Sequence, residues 1–116
     1  MSPLKKQKLS KIRKELDNLD NILIKIIKKR TNLVKRVLEI KEKKNQIVDQ
    51  KRINLILKNI KKKSIKNNID PKITNRIWKN MIYAYIDFER RNFNMAYKHV
   101  LDNFSNDCGW RFNEID

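Results

Sequence analysis

The chain has 116 residues, 29 Lys and Arg against 13 Asp and Glu (net charge +16), and single copies of His, Cys and Gly. One Cys excludes a disulfide framework, one Cys with one His cannot furnish the four ligands of a structural zinc site, and Gly109 alone cannot build a phosphate-cradling loop. No apolar run approaches the ~20 residues that span a bilayer, and Met1–Ser10 lacks the apolar stretch of a signal peptide, so the expectation is one globular, cytoplasmic domain with no membrane contact.

The positive charge is a weak guide to a ligand. Lys (21), Ile (17) and Asn (15) make up 53 of the 116 residues, and all three can be coded almost entirely by A and T. The charge predicts salt-sensitive attraction to polyanions in general. It does not single out a nucleic acid, and no specific nucleic-acid partner is expected.

From Leu9 to about Lys44 the chain has no Gly and no Pro. Leu9, Ile12, Leu16, Leu19, Leu23, Ile26, Leu33, Val37 and Ile40 recur in alternating steps of three and four, the stripe of an amphipathic, coiled-coil-like helix. Thirty-six residues at ~1.5 Å each make about 54 Å of helix. A chain of this size cannot cover so long a stripe by itself, so self-association is expected. After a break at Lys43–Gln46, Asp49 can cap a second helix whose apolar face is Ile53, Ile56, Leu57 and Ile60. Asn67–Asn68 reads as a turn, and Asp70-Pro71 as a cap followed by proline at the first helical position. The third helix carries Ile73, Ile77, Met81, Ile82, Tyr85 and Phe88, with Trp78 also assigned to the core. Phe93, Tyr97, Val100, Leu101 and Phe104 either extend it or form a fourth, C-terminal helix, and Ser105–Asp116 is expected to be irregular. No stretch alternates with period two, so the fold class is all-α.

Arg30 falls inside the apolar stripe of the first helix, where a guanidinium needs an anionic partner. Lys41 lies eleven residues on, about three turns and ~16 Å along the same face. Two cations so placed can bracket a small dianion. Arg13 is 17 residues before Arg30, ~25 Å away, and cannot serve the same site within one chain. In an antiparallel pair of these helices, however, Arg13 of one copy falls beside the Arg30–Lys41 stretch of the other.

Several runs, taken together, resemble one family. Ile12-Arg13-Lys14-Glu15-Leu16-Asp17-Asn18-Leu19-Asp20, Ile26-Ile27-Lys28-Lys29-Arg30 and Val37-Leu38-Glu39-Ile40-Lys41 are similar to the first helix of the all-helical, AroQ-type chorismate mutases, with its L-R-x-x-I-D-x-I-D, L-L-x-x-R and V-x-x-x-K pattern. Asp49-Gln50-Lys51-Arg52 resembles the family's D-x-x-R, and Ile69-Asp70-Pro71 through Ile77-Trp78 its L-D-P…I-W. The likeness spans Leu9 to Glu89, giving a mutase-like domain over residues 1–91 and a C-terminal extension over 92–116.

The resemblance implies an intertwined helical homodimer that rearranges chorismate to prephenate on the route to Phe and Tyr, without metal or cofactor. By the same resemblance, Arg30 and a second copy's Arg13 bind the two carboxylates. Lys41 contacts a carboxylate and the ether oxygen, Arg52 supports a carboxylate, and the Asp49 region meets the ring hydroxyl. The sequence departs from the family at three positions. Ile53 stands where an acidic residue is common, Tyr85 where a small hydroxyl residue is expected, and Glu89 where the second ether-oxygen donor is commonly Gln. A carboxylate would repel an oxygen that gains negative charge, so Glu89 is expected to act in its protonated form.

Glu15, Asp17 and Asp20 are read as solvated or salt-bridging, and His99 and Cys108 are given no role. The aromatic tail is expected to pack over the dimer or the site entrance, or to dock another shikimate-pathway enzyme. Two rival functions stand beside the mutase: isochorismate-pyruvate lyase on the same scaffold, and a non-catalytic basic helical dimer binding nucleic acid. The second offers no reason for Arg30 in the stripe.

Overall fold

Long apolar periodicity with almost no Gly or Pro leaves helix as the cheapest way to satisfy the backbone. A computed structural model describes residues 1–42 and 46–102, with side chains as far as Phe93. It consists of α1 (Pro3–Ile40), α2 (Gln50–Lys66) and α3 (Pro71–Asp102), with no strand among the described residues. The chain divides into two units, Met1–Val34 and the part from Lys35 onward.

The first unit is the N-terminal part of α1. The helix begins at Pro3, six residues before the apolar stripe, because Ser2 caps it: its Oγ accepts from the Lys5 amide at 3.2 Å, and proline occupies the first helical position. The stripe is not covered within the unit: Ile12, Leu16, Leu19, Leu23, Ile26 and Leu33 are each 52–59% exposed. Arg30, Thr31 and Val34 are half-buried. The other sides of this helix are charged, so the stripe is an apolar face exposed within the unit.

The second unit opens with the last turn of α1, which stops at Ile40 and not near Lys44. The Lys41 amide there splits its bond between the carbonyls of Val37 (3.3 Å) and Leu38 (3.2 Å). α2 and α3 form an antiparallel hairpin. Asp49 caps α2, its Oδ1 accepting from the Arg52 amide at 3.0 Å, and Asp70 caps α3 through the Lys72 amide at 2.9 Å. Between the two helices Asn67 closes α2 and Asn68 takes a left-handed conformation (φ 57°), while the Ile69 amide returns to the Ser64 carbonyl at 2.9 Å.

The core of this unit is Leu38, Ile47, Ile82 and Ile86, with Ile53, Ile56, Leu57 and Phe93 packed against it. The α2 face is as the periodicity predicts. On α3 the buried line runs one residue off the expected one: Ile82, Ile86 and Glu89 are buried, Trp78, Met81, Tyr85 and Phe88 are half-buried, and Ile73 and Ile77 are exposed. The third helix has two apolar faces, and only one of them is used against α2. Phe93 through Asp102 continues α3 without a break, so the described residues contain an extension and no separate fourth helix. Ser105–Asp116 lies outside the described residues.

A small polar clasp pins the hairpin. Ser64, 3% exposed, donates to the Ile60 carbonyl or shares a hydrogen bond with the Thr74 hydroxyl, each at 2.6 Å, and Thr74 reaches the Pro71 carbonyl at 3.3 Å. Ser64→Ala removes the link between the helices, and thermal unfolding is expected to show a loss of about 1 kcal/mol.

Candidate functional site

Lys41 follows the last turn of α1, and Glu89 lies two-thirds of the way along α3. Although 48 residues separate them, the Lys41 Nζ sits 3.2 Å from the Glu89 Oε2. The same ammonium donates to the Ile47 carbonyl at 3.3 Å. Both side chains are largely out of water, at 19% and 11% exposure. Two of the three Lys41 N–H groups are thus taken by the protein, which fixes the ammonium and leaves the third for a ligand.

Other expected residues frame this pair. Asp49 spends one carboxylate oxygen on the α2 cap, and Arg52 follows one turn later with its side chain exposed. Tyr85 is half-buried one helical turn before Glu89. An open groove of about 640 Å³ runs beside Lys41, between Val37 and Ile40 of α1 on one side and Gln46, Val48, Asp49, Gln50 and Lys51 on the other. The second unit therefore brings together Lys41 with Glu89, and Lys41 with Asp49. Arg52 is not part of the groove lining. Arg13 and Arg30 belong to the first unit, where Arg13 is exposed and Arg30 half-buried.

Sequence reasoning missed Gln46 and Lys51 in the groove, and Asn92. The Asn92 side chain is 3% exposed; its Nδ2 donates to the Phe88 carbonyl at 2.8 Å, and its Oδ1 has no hydrogen-bond partner among the described residues. Tyr85, Glu89 and Asn92 stand at i, i+4 and i+7, a polar line on the inward face of α3. That spacing was readable in the sequence and is a signal for a built polar site.

Chemically, the arrangement offers a fixed ammonium paired with a carboxylate, at the edge of a groove with an apolar wall. It suits an anionic, partly apolar small molecule with a negative charge or developing negative charge near Lys41. Residues 12–90 match the model of the family described as chorismate mutase type II. A chorismate mutase of Methanocaldococcus jannaschii is 36% identical over 77 residues, which are 66% of this chain and 78% of that protein. No solved structure matches the chain.

The Lys41–Glu89 pair is testable apart from any ligand. Lys41→Met strands a mostly buried carboxylate, and chemical denaturation is expected to show a loss of about 1–2 kcal/mol. Adding Glu89→Leu to that variant should recover most of the loss, because the stranded charge is then gone.

Proposed function

The chain belongs to the chorismate mutase type II family, and from that premise we propose how its own residues perform the reaction. Its activity is that of a chorismate mutase, an isomerase whose substrate is chorismate. The reaction is a one-substrate pericyclic rearrangement to prephenate: the ether C–O bond breaks as a new C–C bond forms, and no proton need be gained or lost overall. The protein's task is to hold a dianion in its compact conformer and to meet the charge that gathers on the ether oxygen.

In our reading Arg30 and the Arg13 of a second copy take the two carboxylates. Lys41 lends its third N–H to a carboxylate and to the ether oxygen, where it acts more strongly in the transition state than in the ground state. Glu89, once it gives up Lys41 and takes a proton, donates to the same oxygen. Arg52 supports a carboxylate, Tyr85 stands where it can meet that carboxylate, and the Asp49 region receives the ring hydroxyl. The observation that supports this reading is the 3.2 Å approach of Lys41 and Glu89, the two groups assigned to the ether oxygen, across 48 residues of chain.

The uncovered stripe of α1 supports an intertwined homodimer, since the covering surface it needs is another copy of itself. Residues 1–91 form the mutase domain in this reading and residues 92–116 an extension. No described helix is long and apolar enough to cross a membrane, and we assign the enzyme to the cytoplasm. Docking of the extension to another shikimate-pathway enzyme is examined by co-purification with a chain cut after Asp102, which keeps the Phe93 contact with the core.

Ultraviolet absorbance should show chorismate consumed by the purified chain, with Arg30→Ala slower by at least about 100-fold in kcat/KM. Isochorismate offered to the same preparation should not yield salicylate. Glu89→Gln, which keeps a donor beside Lys41, should retain turnover, whereas Glu89→Ala should lose at least about tenfold in kcat; an unimpaired Glu89→Ala removes Glu89 from the mechanism. Sedimentation should give a dimer, and Leu19→Asp in the α1 stripe should yield inactive monomers.

A further inference from the structure

The groove beside Lys41 contains a cation that no family motif assigns. Lys51, in the first turn of α2, lines it together with Lys41 and Gln46, opposite the apolar wall of Val37, Ile40 and Val48. Arg52, the cation of the D-x-x-R motif, is absent from that lining. Lys41 has two of its three donors committed to Ile47 and Glu89, so it offers a carboxylate reaching this wall one further N–H, and a second cation beside it would strengthen the hold. Among the described residues the acid in the lining is Asp49, and one of its oxygens is already engaged by the Arg52 amide. No described residue of the lining is recorded in an ion pair with Lys51, and an arriving anion would meet it at the N-terminal turn of α2, where the helix dipole favours negative charge.

We infer that Lys51 is a substrate-binding residue, the second cation of a carboxylate subsite that it shares with Lys41. This rests on the mutase reading of the site and adds one residue to it. An exposed lysine on a groove rim acts on binding and not on the bond-breaking step, so its signature is a KM effect. It draws a carboxylate toward Lys41 and gives way as salt screens it.

The test is steady-state kinetics on chorismate with Lys51→Met and Lys51→Arg, and with Lys62→Met as a control of equal charge change about 16 Å further along α2. The expected result is a rise in KM of about fivefold for Lys51→Met with kcat within about twofold, near-complete recovery in Lys51→Arg, and wild-type KM for Lys62→Met. The KM difference should shrink in 0.5 M salt, which is about 0.5 M against the roughly 0.15 M of ordinary buffers. Circular dichroism on each variant separates a binding defect from loss of the fold. An unchanged KM in Lys51→Met, or an equal rise in Lys62→Met, overturns the assignment and leaves the mutase reading intact. A wild-type chain that does not consume chorismate overturns the mutase reading, and this inference falls with it.

Discussion

An ammonium and a carboxylate held 3.2 Å apart, both mostly shielded from water, constrain everything around them. Each stabilises the other's placement, since a charge held away from water without a partner is costly. Their meeting requires α1 to end at Ile40 so that Lys41 can turn inward, and requires α3 to pass with Glu89 on its inward face. The Ile47 carbonyl completes the arrangement by taking a second N–H. The core residues Leu38, Ile82 and Ile86 lie within a few positions of the pair along the same two helices, so apolar packing and charge placement are one structural problem solved together.

In the ligand-free chain this pair is satisfied internally. In the proposed mechanism a dianion entering the site competes with Glu89 for Lys41.

Much of this was legible before any coordinates. Helix content followed from period and from the scarcity of Gly and Pro, and the caps at Asp49 and Asp70 stand where the sequence put them, because capping is a contact over two or three residues. Lys41 stands out by its helical spacing from Arg30, and Glu89 by resemblance alone. Their contact was not readable, since no local rule links residues 48 apart. The start of α1 was placed at Leu9 because apolar spacing begins there, whereas Ser2 and Pro3 set the true boundary through backbone bonds that need no apolar side chain. On α3, Ile73 and Ile77 were grouped with the core because the helix has two apolar faces, and a periodicity cannot tell which of two faces meets α2. Lys51 was invisible for a different reason: among 21 lysines, only position in space distinguishes one from the rest.

Asp49 serves two masters. Its Oδ1 holds the first turn of α2 in place through the Arg52 amide, and that turn carries both Lys51 and Arg52. A ligand meeting this residue is left with the remaining oxygen or the peptide group. In the proposed site, fraying of this helix end and weakening of the binding subsite would therefore be the same physical event. Asparagine in its place would keep the turn wound, whereas alanine would loosen two basic side chains at once and mimic a defect in recognition.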